Sequence, residues 1–293
     1  MRAGVLSVDK PAGATSFTIV RRLRDLTGAR RVGHAGTLDP LATGVLPILF
    51  ESATRLTDHA HRLPKTYEAT VHLGFRTATD DAEAELEPVA PADGLTAEEV
   101  ATALSGFVGR ISQEPPAFSA VKVEGRRAYK RARAGELERP PARTVEVMSA
   151  ELLAFAPGPA PAARIRVTCA SGVYLRSLAR DLGETLGVGG YLGRLVRTAY
   201  GPLRVEEAVP MDQIDGGGAV QHHLLAPEVL LPGVKAVRVN ADQEAQIRQG
   251  RAVRVLPEPQ PGVLRAHDDL GHLVAVGHTD PLRRTFVPDR VLG

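Results

Sequence analysis

With 293 residues, 43% of them hydrophobic, the chain can bury one large core, or a large and a small one, and global disorder is excluded. Its net charge of +2 is too small to name a partner, and no apolar run approaches the ~20 residues that span a bilayer. The single cysteine, Cys169, excludes an intramolecular disulfide framework and any CxxC zinc site.

In chain order, GVLSVDKP reads as a short strand ending at Asp9-Lys10-Pro11. The apolar stretch before Asp9 is too short for a signal peptide, so a cytoplasmic location is expected. After Gly13-Ala14-Thr15-Ser16, the apolar residues Phe17, Val20, Leu23 and Leu26 alternate with Arg21, Arg22 and Arg24. That spacing predicts an amphipathic helix, capped by Thr15 or Ser16 and stopped by Gly28. GHAGTLDPLATG (33–44) is a glycine-bounded loop, VLPILF a buried strand, and a short helix follows through Arg55 and His59. KTYEATVHLG has the period of a half-buried strand, with Tyr67, Ala69, Val71 and Leu73 on one face.

Residues 77–99 carry eight acids and no Lys or Arg, and read as an exposed insert before a helix opened by the capping-box pattern at Thr96. SAVKV and VEVMSAELLAF are further strands around a basic helical segment near Tyr129, and PGPAPAA (157–163) is a tight connection. RIRVTCAS alternates as a strand, with Cys169 read as a small buried apolar residue. Gly172 then leads into a helix with Val173, Leu178, Leu182 and Leu186 on its apolar side. Around 210–234, DGGGA and LLPG read as a linker. Beyond it come one short helix, DQEAQIRQG, and the short β-like runs VRV, VLRAH and LVAVGH, the texture of a small β-barrel-like module. Strands outnumber helices without regular alternation, so the expected class is α+β with a mixed, mainly antiparallel sheet.

The distribution of charge adds to this. Residues 110–145 hold nine bases against four acids, and 164–204 hold seven Arg against two acids. Separated acidic and basic regions allow a basic face toward a polyanion in a nearly neutral protein, although solvated helix faces give the same pattern.

The glycine-rich segments do not read as nucleotide sites, because GVGGYLG (187–193) lacks both a Walker Lys-Ser/Thr and GxGxxG spacing. No GxSxG elbow is present. Among the nine histidines there is no HExxH, and His59/His61 and His222/His223 do not share a helical face. No metal is expected. What remains is Asp39, followed by Pro40 between Gly36 and Gly44. Asp-Pro is what an N-cap with Pro at the first helical position looks like. It is also a rigid platform on which a carboxylate can meet a ligand.

VGHAGTLDPLATGVLP closely resembles the catalytic loop of the TruB family of tRNA pseudouridine synthases. GVLSVDKPAGATS, KTYEATVHLGFRTATDDAEAE, PPAFSAVKVEGRRAYKRARAGE and SGVYLRSLARDLGETLG with YLGRLVRT resemble it in the same order, over about residues 4–205. The tail from about residue 233 is similar to the PUA RNA-binding module of bacterial members, though poorer in bases. The resemblance implies a catalytic domain over 1–230 and a PUA-like domain over 233–293. It implies Asp39 as catalytic aspartate, Arg176 as its partner, and Tyr67 as the residue against the target base and a candidate general base at C5. By the same match Tyr174 and Leu192 wall the uracil pocket and His34 stacks in the RNA loop, while Lys10 and Pro11 brace the Asp39 loop. The implied reaction converts uridine 55 in the T-loop of tRNA to pseudouridine after flipping the base. It needs no cofactor, no membrane and no protein partner, and a monomer suffices. Whether Asp39 attacks C1′ or C6, or assists glycal formation, is open at this level.

Overall fold

The computed structural model describes residues 1–119, 121–123, 126–128, 139–255, 261–280 and 282–292. The basic segment around Tyr129 lies outside them.

The main body is a ten-stranded mixed sheet. Its strands are β1 (Gly4–Lys10), β2 (Val32–His34), β3 (Thr43–Phe50), β4 (Lys65–Leu73), β5 (Gly109–Gln113), β6 (Arg143–Ala156), β7 (Ala162–Cys169), β8 (Gly190–Tyr200), β9 (Leu203–Arg204) and β10 (Val209–Pro210). The spatial order is β10-β1-β3-β8-β4-β7-β6-β5, with β2 paired to β3 and β9 to β8. Only β1/β10 and β3/β8 run parallel in this sheet. The α+β class with a mainly antiparallel sheet is therefore what the chain adopts.

β3 shows why VLPILF does not alternate. From Gly44 to Phe50 it is buried on both faces, with Leu46 and Ile48 in one apolar cluster and Val45 and Leu49 in another. Pro47 is tolerated because β3 pairs with β8 only at Thr43 and Gly44 and with β2 from Ile48 onward. In β4 alternation is strict, and Lys65 shares the buried face with Tyr67, Ala69, Val71 and Leu73.

Helix α1 (Ser16–Thr27) is capped by Thr15, whose side chain accepts from the Thr18 N–H, and ends at Gly28 with φ +62°. Its buried face is Ser16, Ile19, Val20 and Leu23, and Phe17, expected inside, is 65% exposed. Ser16 is drawn inward by its bonds to the Asp39 loop, which turns the neighbouring Phe17 out. Further along the chain, α2 (Thr57–Arg62) follows β3 through a 3-10 turn, and α3 (Ala97–Ser105) carries the expected capping box. Helix α4 (Leu175–Thr185) buries Leu175, Leu178 and Leu182, each worth ~1.5–3 kcal/mol. It crosses β8 so closely that a Cβ on Gly183 would lie 2.1 Å from the Gly189 carbonyl carbon. The glycine run at 187–190 is thus a helix-to-strand crossing.

Two expectations are corrected. Residues 209–231 are not a free linker: β10 pairs with β1, Leu225 exchanges hydrogen bonds with Val5, and Met211, Ile214 and Val220 are core residues, the last in α5 (Gly217–His222). Glycine-rich composition there serves tight turns between packed apolar residues. The acidic stretch after β4 is not wholly exposed either, since Asp80 and Asp81 are 3% and 2% exposed. Buried arginines supply the countercharge that permits this.

The C-terminal part is a second sheet of β11 (Lys235–Arg238), β12 (Val253–Arg254), β13 (Val263–His267), β14 (Leu273–Asp280) and β15 (Thr285–Val291), in the order β11-β13-β14-β15-β12. It carries α6 (Ala241–Arg248), capped by Asn240, and a separate cluster around Ile247, Leu264 and Phe286. Val276 and Leu292 reach across to Val5, Leu49 and Leu56 of the body through Leu230 and Leu231. Among the described residues, no helix is long and apolar enough to cross a membrane.

Candidate active site

Asp39 sits in a single turn, its carbonyl accepting from the Ala42 N–H at 3.1 Å, and no helix follows. The N-cap reading is thereby corrected. Pro40 and Leu41 fill the middle of the turn, where proline's fixed φ is favourable, and the side chain is free for another partner. That partner is Arg176, whose Nε donates to Oδ2 at 2.9 Å. Asp39 is one-third exposed and Arg176 5% exposed, so a buried cation holds a carboxylate that solvent can reach. Arg176 is fixed on its other edges by the Thr79 carbonyl at 3.1 Å, the Phe118 carbonyl at 2.9 Å and the Asp81 carboxylate at 3.5 Å. Nearly every direction of the guanidinium is used, which leaves it one orientation.

The loop is held from beneath. Lys10 is fully buried, and its Nζ donates to the carbonyls of Pro11 and Ala14 at 2.8 Å and of Pro40 at 3.2 Å. Burial pushes the Lys10 ammonium down to about 8, against the nearby Asp39 charge that raises it. Pro11 takes part through its carbonyl only. The Ser16 hydroxyl accepts from the Leu38 N–H at 2.9 Å and donates to the Leu38 carbonyl at 3.2 Å. Two buried polar groups next to Asp39 are thus satisfied by one side chain.

Asp81 is carried to Arg176 by the turn after β4. Thr79 Oγ1 donates to its Oδ1 at 2.6 Å, and the Glu83 N–H donates to the same oxygen at 3.0 Å. Leu192 pins this turn through its main chain: its N–H donates to the Asp80 carbonyl and its carbonyl accepts from the Ala82 N–H. Its side chain is fully buried in the main cluster. Asp80 adopts φ +60° and meets Arg180 at 3.0 Å and Arg139 at 3.3 Å. Burial raises its carboxyl while Arg180 and Arg139 pull it down.

Tyr67 lies on the buried face of β4, directly opposite Arg197 of β8. Burial raises its phenol above the ordinary value, and the Arg197 guanidinium beside the hydroxyl pulls the other way. Arg197 is 1% exposed; its Nε donates to the Val45 carbonyl at 2.7 Å and its Nη2 to the Gly36 carbonyl at 3.0 Å. Its guanidinium carbon lies 5.1 Å from the centre of the Tyr200 ring. The two loop glycines answer to this strand. A Cβ on Gly44 (φ +98°) would be 2.3 Å from the Arg197 carbonyl oxygen, and one on Gly36 (φ +74°) would be 3.1 Å from the Tyr200 ring.

Tyr174 caps α4 two residues before Arg176, held by Gln113, whose amide accepts from its N–H at 2.9 Å and donates to its carbonyl at 3.1 Å. His34 ends β2, half-buried, its Nδ1 without a partner and its imidazole held neutral by burial and by Arg197. The structure therefore brings Asp39, Arg176, Lys10 and Tyr67 into one charge network. Leu192 joins it through its backbone bonds to the Asp80–Ala82 turn, Tyr174 is held by Gln113 beside it, and His34 lies near Arg197.

Sequence reasoning passed over Ser16, Lys65, Asp81, Gln113 and Arg197. Two of these carried a visible signal: Lys65 and Arg197 occupy the inward parity of alternating strands, beside Tyr67 and beside Leu195 and Ala199. The basic-face reading of 164–204 is narrowed accordingly, because Arg176, Arg180 and Arg197 are interior while Arg164, Arg166, Arg194 and Arg204 are exposed. Among the described residues, no three His, Cys, Asp or Glu converge as metal ligands.

A family model described as TruB family pseudouridylate synthase (N terminal domain) matches residues 24–175. The tRNA pseudouridine synthase B of Thermobifida fusca is 51% identical over 299 aligned residues, covering 100% of this chain and 94% of that protein. Its counterpart in Corynebacterium aurimucosum is 41% identical over 276 residues, covering 94% of this chain and 92% of that protein. Among solved structures, a chain of an H/ACA ribonucleoprotein bound to a substrate RNA containing 2′-deoxyuridine aligns with a TM-score of 0.72, at 21% identity, over 99% of this chain and 85% of its own. A chain of a Cbf5–Nop10–Gar1 complex aligns at 0.71 and 24% identity, over 99% and 84%. At those identities the likeness speaks for the fold alone. The full-length relatives and the family model carry the identification: this chain belongs to the TruB family of pseudouridine synthases.

Proposed function

We propose that the protein isomerises uridine 55 in the T-loop of tRNA to pseudouridine, with Asp39 as the catalytic carboxylate. The observation that carries this is the 2.9 Å pair between a partly exposed Asp39 and a buried, fully engaged Arg176. The tRNA part is supported by full-length relatives called tRNA pseudouridine synthase B. The reaction breaks the bond from C1′ to N1, turns the base and rejoins it through C5. A carboxylate held at one angle suits attack on the sugar or the base, because rigid placement removes much of the entropic cost. Tyr67, beside the flipped uracil, serves as its stacking wall and as the C5 base, while Tyr174 and Leu192 complete the pocket and His34 meets the RNA loop. Neither a cofactor nor a protein partner is required, and a cytoplasmic monomer fits this task. Residues 1–230 form the catalytic domain, and 233–293 a PUA-like domain that binds RNA.

The direct test is release of tritium from a tRNA transcript labelled at uracil C5, with a transcript carrying cytidine at position 55 as control. Stoichiometric release from the first and none from the control is expected. Equal release from both removes the assignment to position 55, and no release removes the reaction.

A further inference from the structure

Arg197 is a buried cation that lies within 4 Å of no carboxylate among the described residues. Uncompensated burial of a charge is costly, so such a residue needs a structural or chemical reason. The backbone carbonyls of Gly36 and Val45 use two sides of the guanidinium. The strand register makes Tyr67 its cross-strand neighbour, and both side chains are buried. Tyr67 is faced by Arg197 from β8, by Cys169 from β7, by Asp39 from its loop and by Tyr200; Lys65, on the same face of β4, lies 4.7 Å from the Tyr200 ring centre. The Cys169 thiol is pushed up to about 12 and stays neutral, and the Asp39 carboxylate opposes ionisation of the phenol. Among the described residues that face the phenol, Arg197 is the one that brings positive charge to it.

We propose that Arg197 is the positioning residue for Tyr67, its guanidinium lying against the phenol and favouring, in opposition to burial, the phenolate form that removes the C5 proton. This rests on the isomerase reading above. Once C5 has bonded to C1′, C5 carries both that bond and its hydrogen, and N1 is doubly bonded to C6. The phenolate oxygen takes the hydrogen as a proton, and the C5–H pair becomes the C5=C6 bond. The N1=C6 pair returns to N1, which takes a proton from water, and the new phenol gives its proton back to water. Nothing is oxidised or reduced. The same guanidinium holds the Gly36 carbonyl, so the loop bearing Asp39 and the oxygen of Tyr67 share one anchor.

The test uses the full-length enzyme with 3,5-difluorotyrosine at position 67, titrated by fluorine NMR, with Arg197 intact or as Arg197→Lys or Arg197→Gln. The midpoint should rise by about one unit or more in Arg197→Lys, whose shorter side chain ends in a compact point charge that cannot span the Val45 and Gly36 carbonyls and still reach the phenol as the planar guanidinium does, and further in Arg197→Gln. With native Tyr67, single-turnover tritium release by Arg197→Gln should fall ~10²-fold, and the more acidic difluorotyrosine should restore ~10-fold of it. A purely structural arginine predicts no such rescue. An unmoved midpoint in Arg197→Lys overturns the proposal, and that variant decides the matter if Arg197→Gln does not fold. If the unaltered enzyme releases no tritium, the isomerase reading falls and takes this proposal with it. Release with an unmoved midpoint removes only the role of Arg197.

Discussion

Two charge clusters lie beside the Asp39 loop, and they are built on opposite rules. In the first, cations and carboxylates alternate: Asp39, Arg176 and Asp81 in one chain, Asp80, Arg180 and Asp181 in another. In the second, Lys65, Arg197 and Lys10 meet carbonyls, a serine hydroxyl and aromatic faces. Alternation fixes geometry, because each guanidinium has a directional partner on nearly every edge. An excess of one sign leaves a field, and in a low-dielectric interior that field acts on whatever can ionise nearby. The first cluster is suited to aiming a carboxylate, the second to making a phenol more acidic than its burial allows. Neighbouring halves of one site thus divide geometry from electrostatics.

The division implies unequal consequences of mutation. Asp39→Asn keeps the volume and the turn, and should lower single-turnover tritium release by at least three orders of magnitude, with unfolding unchanged within about 1 kcal/mol. A variant that retains a tenth of the rate would remove Asp39 from the chemistry. Tyr67→Phe deletes one oxygen from the other half. RNA affinity should stay within a few-fold, since ring stacking is kept, while release falls ~10²–10⁴-fold. Near-normal release would reduce Tyr67 to a wall and leave the second cluster without its proposed task.

How much of this was readable beforehand depended on whether a residue's role was local. β4, α1 with its Thr15 cap and Gly28 stop, and the capping box at Thr96 follow from short-range period and capping chemistry. Asp39 was legible through its Gly-Pro setting and a family loop read almost whole. Asp81 was not, because its burial depends on Arg176, 95 positions away in the sequence, and acids in an acidic run otherwise stay in water. Residues 209–231 misled for the converse reason. Gly and Pro there signal turns correctly, but turns between packed residues look like turns in a linker. Phe17 was assigned inside by spacing alone, and the inward pull of Ser16 on Leu38 reversed it.

The smallest effect separates the clusters by pH. Lys65 is 4% exposed, and burial, reinforced by Arg197, lowers its ammonium from 10.5 to about 8. Between about pH 8 and 10.5 the unfolded chain therefore holds a proton at Lys65 that the folded chain has released. Stability supplied through this group rises with pH across that window, and below it both states are protonated and the slope vanishes. Lys65→Met strands the Leu63 carbonyl, takes one partner from the His61 carbonyl and the Ser171 hydroxyl, which still bond each other, and also removes this slope. Its stability deficit against wild type should therefore grow between pH 8 and 10, by on the order of 1–3 kcal/mol. Tyrosine titration in the unfolded chain affects both proteins alike and cancels in the difference. Arg176→Met is the counterpart: it leaves Asp81 buried and unpaired, a cost of about 3–5 kcal/mol. No group with a lowered or raised pKa in this window is removed by that change, so its deficit should be flat. Urea unfolding of the three proteins at pH 8, 9 and 10 measures both slopes. A flat Lys65→Met deficit, or an Arg176→Met deficit that climbs with pH, would mean that the two clusters do not differ in electrostatic kind.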